Sequence, residues 1–545
     1  MNWLKLVGCL WLLTVASAWA AEDTDPQLQN RLRAHIEFLA DDLMQGRQPG
    51  SEGYNIAANY VSSQFQQMGL LPAGNDGAYF QQVPLRRAFL EPGSARLVFK
   101  LGAETIPLVF PDQFYTGPDL GSMSSQLEAG LVFAGYGIEA AELDHDDYAN
   151  IDAAGKVVVL FAGQPHDFPS EEGAHFASTA EKTRAAVRHG AVGVLMIFTP
   201  RSAQRYPWDM LSSRVGTPSM GWINGQGQVH GVFEQIKVEA AINHAAAGFI
   251  FENAPVDLTT LLERDNNGEA LPAFTLEGSV SAHQRSTHEV ISSPNVVAVL
   301  PGSDPLLANE YVVYSAHLDH IGVLPSGGGE HTPNDLINNG ALDNASGVSV
   351  MLESARLFSE GPAPRRSILF IAVTAEEKGL VGSEYFAMNP TVPVDAIVSE
   401  VNLDMPLLLY EFGDVIAFGA EHSSLGQTVR EAANSYAIEL SPDPFPEQNI
   451  FVRSDHYRFV QQGIPSVFLV TGMKSLDGSI DTQPIFEGFL QQHYHKPSDD
   501  LNLPINYAAA AKFTRINTKI GELIANDPQR PSWREGDFFG RTYAK

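Results

Sequence analysis

Residues 311–320 read YVVYSAHLDH and residues 367–377 read SILFIAVTAEE, and these two stretches decide the fold. Each is a short apolar run that stops abruptly at histidine or carboxylate. A run with no polar alternation predicts a strand buried on both faces, inside a sheet covered by helices on each side. Similar runs at 295–300, 396–403 and 466–470 alternate with helical patterns, the clearest helix being 346–358 with Val350, Ala355 and Leu357 on its apolar face. Apolar strands alternating with helices indicate an α/β layer fold for the C-terminal half. In such sheets, functional residues gather at the carboxyl edge of the strands.

The strand ends carry a consistent chemistry. His317, Asp319 and His320 follow the first strand, Glu376 and Glu377 the second, and Asp404 the run ending in Asn402-Leu403. Asp343 lies in GALDNASG (340–347), which opens the 346–358 helix, and His495 lies in HYHKP (493–497), past the last strand. Zinc takes imidazole nitrogen and carboxylate oxygen, and a catalytic zinc keeps one position open. A pair of zinc ions about 3.5–4 Å apart needs a bridging carboxylate and terminal ligands on each side. Two histidines and three carboxylates meet that demand and leave one carboxylate over. Adjacent side chains at a strand end diverge, so one of Glu376 and Glu377 can bind metal while the other stays free to move a proton. Asp319, two residues beyond His317, is placed to hold the second nitrogen of that imidazole. Ligand type favours zinc over cobalt or manganese without excluding them.

Working outward, Leu32, Ile36, Leu39 and Leu43 recur at helical spacing before Gly46, and a second amphipathic helix runs over about 52–68 with Ile56, Tyr60 and Phe65 on its buried face. Residues 156–161 (KVVVLF), 181–189 and 192–198 (VGVLMIF) form a strand-helix-strand unit, which implies a parallel pair with a right-handed crossover. No histidine–carboxylate set accompanies it, so it reads as a separate module.

With 64 acidic against 34 basic side chains and a formal net charge of −30, the surface repels nucleic acid and anionic membranes, and neither is an expected partner. Lys5, the apolar run 6–16 and Ala18-Trp19-Ala20 have the form of a cleaved export signal, which predicts a periplasmic or secreted enzyme starting at Ala21. Cleavage there would remove Cys9, the one cysteine, leaving no disulfide or thiol chemistry. No later segment predicts stable membrane insertion.

HLDHIG (317–322), GALDNASG (340–347), AEEKGLVGSEYF (375–386), NLDM (402–405), SDHYRF (454–459) and YHKPSDD (494–500) together resemble the bacterial leucyl-aminopeptidase type of co-catalytic zinc peptidase, in the family's order. LADDLMQGRQPGSEG (39–53) is similar to that family's opening. The resemblance implies a three-layer αβα peptidase domain with a mixed central sheet, contributed by 21–115 and 281–545. It further implies two zinc ions per chain, with His317 and Asp404 on one, Glu377 and His495 on the other, and Asp343 between them. Glu376 would be the general base, Asp319 would orient His317, and Asp343-Asn344 would be a cis peptide. Lys496 stands where many members have a small residue. LVFAGYGI (131–138), DDYANIDAAGKVVVL (146–160) and GAVGVLMI (190–197) look like the protease-associated (PA) domain inserted in such enzymes, predicting a smaller α/β insert over 116–280.

The expected function is therefore hydrolysis of N-terminal residues from peptides by water activated at two zinc ions. A glutamate-carboxypeptidase-type enzyme shares the metal set and would need a basic cluster for the substrate carboxylate, for which Arg453 and Arg458 are candidates. A zinc-free receptor of the transferrin-receptor kind conflicts with the complete ligand set, and a glutaminyl cyclase would hold a single zinc.

Overall fold

The computed structural model describes residues 25–205, 207–324 and 335–544; the expected export signal and Cys9 lie outside them. The chain divides into two compact units. The first takes the described residues up to Val83, then Ser293–Asp443 and Ser454 onward; the second takes Pro84–Ser292 and Pro444–Arg453. The insert thus begins some thirty residues before the expected 116, ends after 280, and includes a second, distant segment. The strands Arg96–Leu101 and Glu104–Leu108 pair with each other and with 279–283, so they belong to the insert's sheet.

In the first unit a mixed sheet runs in the order Leu71–Pro72, 296–300, Ser367–Val373, Tyr311–His317, Ile397–Asn402, Ser466–Thr471, Asp414–Phe418, Glu439–Ser441. Its heart, from Ser367–Val373 to Ser466–Thr471, is parallel. Every residue of Ser367–Val373 is buried, as the unbroken apolar run requires. Alternate side chains leave opposite faces. Val313, Leu369, Ile371 and Val373 pack with Phe386 and Phe459, from the helices Val381–Met388 and His456–Val460. Tyr314 and Phe370 point the other way, against Phe358 of the helix Gly347–Glu360 and Phe65 of Glu52–Gln67. The unit therefore has helix, sheet and helix layers.

Two N-terminal helices form as expected, with the exceptions of Leu43 and Ile56 on their expected buried faces. Asp25 caps Pro26–Leu39, which buries Leu28, Leu32, Ile36 and Leu39, whereas Leu43 falls in the following turn and is 79% exposed. The helix Glu52–Gln67 buries Tyr54, Ala57, Ala58, Val61 and Phe65; Ile56 faces outward. Small alanines let this helix approach the body closely, and that contact set the face in preference to the bulkier Ile56.

The second unit contains the expected strand-helix-strand motif. Val157–Phe161 and Gly193–Phe198 are parallel, joined through the helix Thr179–Arg188, and Val238–Asn243 extends the set in parallel. No helix among the described residues is long and apolar enough to cross a membrane.

Candidate metal centre

The parallel strands end together and aim their next residues at one place. The Leu318 N–H donates to Val373 O at 2.8 Å, and His317 ends its strand level with Val373. Ala375 then adopts a left-handed conformation (φ 54°), which turns Glu376 and Glu377 back over the sheet edge. The Leu403 N–H donates to Ser315 O at 2.8 Å and brings Asp404 alongside. Asn344 fastens the last loop, its Oδ1 accepting from Gly347 N–H at 2.9 Å and from Met405 N–H at 3.0 Å. A Cβ on Gly347 would lie 2.3 Å from Leu403 O, so only glycine lets that helix start so close to the Asp404 strand. The Asp343-Asn344 peptide is cis.

Five expected donors meet there. His317 Nε2 lies 3.0 Å from Asp404 Oδ1 and 3.2 Å from Asp343 Oδ1. His495 Nε2 lies 3.3 Å from Asp343 Oδ2 and 3.3 Å from Glu377 Oε2. Donors around a tetrahedral zinc at about 2.0–2.1 Å stand about 3.3–3.4 Å from one another. These separations fit that geometry, and Asp343 turns one oxygen to each histidine. Donor atoms of His317, Asp343 and Asp404 all lie within 4.8 Å of one another, as do those of His320, Asp343 and Glu377. His320 and His495 thus compete for the place beside Glu377. The His320 Nδ1–Glu377 Oε1 distance of 2.6 Å is a hydrogen-bond length, too short for two ligands of one ion, so His320 anchors the oxygen that His495 does not face.

The electrostatics separate the two adjacent glutamates. Burial opposes charge on Glu377, but His495 and His320 outweigh it and bring the carboxyl down to about 2. Glu376 feels His317 alone among the imidazoles; burial, reinforced by Asp404, Glu377 and Asp455, outweighs it and pushes the carboxyl well above the usual range. Asp343 is held well below its ordinary value, burial being overcome by hydrogen bonds from His317 and His495. Burial would lower His317, yet Asp404 and Glu376 hold it well above its ordinary value. Four carboxyl groups thus converge on the imidazoles of His317, His320 and His495, a set of oxygen and nitrogen donors that suits zinc.

One expected contact differs. The Asp319 carboxylate does not reach the imidazole of His317; its oxygens accept the backbone N–H groups of Glu376 at 3.0 Å and Glu377 at 3.4 Å. The backbone carbonyl of Asp319 takes His317 Nδ1 instead, at 3.1 Å. Two residues along the chain suffices for the carbonyl to reach the ring, which leaves the side chain free to bind the neighbouring turn. Lys496 points away, donating to Gln491 O at 2.5 Å.

Other supporting residues received no role from the sequence. Arg47, 1% exposed, donates to the carbonyls of Leu318 (2.9 Å), Asn339 (2.6 Å), Gly340 (3.1 Å) and Leu39, gathering the loops that carry His317 and Asp343. Asp499 accepts from Leu342 and Asp343 N–H at 2.9 and 3.0 Å, and Ser454 Oγ donates to Asp404 Oδ2 at 2.5 Å. All three stand in the motifs quoted above, which was the available signal.

Residues 295–520 match the model of peptidase family M28. That segment is similar to the family, and the match covers less than half of the chain. The matched segment contains all five donors together with Glu376. The chain is 26% identical over 248 residues to "Probable leucine aminopeptidase 2" of Aspergillus fumigatus, covering 43% of this chain and 45% of the relative. It is 29% identical over 202 residues to "Leupeptin-inactivating enzyme 1" of Streptomyces exfoliatus, covering 36% and 40%. The matches thus span less than half the length of these curated relatives. An aminopeptidase structure from Aneurinibacillus sp. strain AM-1 aligns with 92% of this chain and 95% of its own, at a TM-score of 0.53 and 20% identity, a likeness of fold.

Proposed function

We propose that this protein is an exported aminopeptidase that uses two zinc ions to remove N-terminal residues from peptides. The observation that carries the reading is Asp343, with one oxygen toward His317 and the other toward His495. In this reading His317 and Asp404 would hold one zinc ion and Glu377 and His495 a second, with Asp343 shared between the two pairs. Bound zinc would polarise the scissile carbonyl and ease deprotonation of water. Glu376, beside the ligands and unpaired with any imidazole, accepts the proton of the attacking water and delivers it to the leaving amine. Its separation in pKa from Glu377 supports this division, since neighbouring carboxyls pushed apart take different roles. Asp319 positions both glutamates through their backbone, and its carbonyl fixes the tautomer of His317 so that Nε2 faces the metal.

The carboxypeptidase alternative is not favoured. Arg458 lies 3.1 Å from Glu384 and donates to Gly379 O, so its charge is already matched. The leucine-aminopeptidase name of a relative also supports the aminopeptidase side. The parallel strands of the second unit support a PA-type insert. The test is a panel of aminoacyl-4-nitroanilides with and without chelator, beside metal analysis and N-acetylated peptides. Chelator-sensitive release from free-N-terminus substrates alone is expected; cleavage of N-acetylated peptides instead would overturn the proposal.

A further inference from the structure

Behind Asp404 an unbroken line of side chains leads into the sheet. Asp404 Oδ1 faces His317, while Oδ2 accepts from Ser454 Oγ at 2.5 Å. Ser454 Oγ accepts from Asn402 Nδ2 at 2.5 Å, and Ser315 Oγ lies 2.9 Å from Asn402 Oδ1 and 2.6 Å from Glu400 Oε1. Ser315, Glu400 and Asn402 are 0% exposed and Ser454 2%. Buried Oε2 of Glu400 has no hydrogen bond, and nearby Ser466 gives its own proton to Ile464 O at 3.0 Å.

We propose that Glu400 is a positioning residue for Asp404, acting as the terminal donor of the relay Glu400–Ser315–Asn402–Ser454–Asp404. The inference rests on Asp404 being a metal ligand, as proposed above.

Counting protons gives the direction. Four contacts need four hydrogens, and each serine hydroxyl has one to give. Ser454 spends its proton on the Asp404 carboxylate, so the contact with Asn402 must use the amide N–H. The amide oxygen of Asn402 then faces Ser315 and takes that hydroxyl's proton. Nothing remains for the Ser315–Glu400 contact except a proton on Glu400. Reversing Asn402 fails, because Ser454 would then need two protons. An ionised Glu400 fails as well, because Ser315 would have to serve two acceptors. Burial independently pushes Glu400 well above the usual carboxylate range. A neutral acid in the sheet thus orients both hydroxyls and the amide toward Asp404, holding Oδ2 and leaving Oδ1 for metal.

Two variants separate this from a mere packing role. Glu400→Gln retains a donor toward Ser315, and Glu400→Leu removes it while filling the space. Zinc per chain would be followed during titration with a chelator, alongside kcat and KM. Glu400→Gln should match wild type, whereas Glu400→Leu should release one of its zinc ions at roughly tenfold lower chelator concentration, the low end of the usual effect of removing a group that orients a ligand. Equal zinc retention in all three proteins would overturn the relay, and so would loss of zinc in Glu400→Gln, since that would show a need for carboxylate charge. Wild-type protein that binds no zinc would instead overturn the metal-centre reading itself. Infrared difference spectra of wild type against Glu400→Gln supply a second readout if Glu400→Leu does not fold. A protonated carboxyl band present only in wild type is expected, and its absence would refute the proton count.

Discussion

Replacing Asp319 with asparagine distinguishes the observed role of this residue from the one its spacing suggests. Burial pushes the Asp319 carboxyl up to about 6. Keeping it ionised near about pH 7.5 therefore costs about 3 kcal/mol relative to a solvated aspartate. Asparagine removes that cost, but its amide faces a backbone N–H that the second oxygen now accepts, and an unsatisfied buried donor costs about 1–3 kcal/mol. The two effects nearly offset, so thermal stability should change little. Activity should not be spared, because the turn carrying Glu376 and Glu377 loses one of its two anchors. A fall in kcat of about 10- to 100-fold is expected, the range seen when groups that orient metal ligands are removed. Zinc beside His317 should stay, since the Asp319 carbonyl still holds Nδ1. The sign of the pH effect follows from a folded pKa raised above the unfolded value. Its stabilising contribution is complete below about 4 and is lost as pH rises through about 6. In zinc-free protein, wild type should therefore gain up to about 3 kcal/mol on the variant as pH falls across that window. Differential scanning calorimetry, zinc analysis and steady-state kinetics would be run on both proteins. Unchanged kcat with loss of the His317-side zinc would refute the reasoning and restore a direct carboxylate–imidazole contact.

Other outcomes follow from the same geometry. Glu376→Gln should keep zinc and stability while kcat falls by about 10²- to 10⁴-fold, the usual worth of a general base; wild-type turnover on aminoacyl-4-nitroanilides would remove Glu376 from the mechanism. Because burial raises Glu376 and its ionised form does the work, kcat should have an acid limb that rises with pH, and that limb should vanish from the residual rate of Glu376→Gln. Arg47→Met leaves the carbonyls of Leu318, Asn339 and Gly340 without their donor, so denaturant unfolding should show a loss of about 3 kcal/mol or more; unchanged stability would mean that those bonds do not hold the loops.

The layer fold and the convergence of the candidate donors were legible because both depend on strand ends. Unbroken apolar runs mark strands buried on two faces, and the residue that ends each run lies at the sheet edge wherever the loops go. His317 and Asp404 needed no further information, whereas the choice between Glu376 and Glu377 rested on the family resemblance. The contacts of Asp319, His320 and Arg47 were not legible, because they depend on where backbone N–H and carbonyl groups of separate loops come to rest. The helical face containing Ile56 was misjudged because apolar size counted for more than the close approach that alanines permit, and Leu43 was misplaced because the helix ends before it, at Leu39. The insert's boundary was hidden for a related reason: alternation in 96–108 announces strands without saying which sheet they join, and Pro444–Arg453 differs in no obvious way from its flanks.

Anomalous X-ray diffraction at the zinc edge tests the central claim most directly. Two peaks about 3.5–4 Å apart should flank Asp343, one against His317 and Asp404 and the other against Glu377 and His495. A single peak, none, or a second peak ligated by His320 in place of His495 would contradict the account.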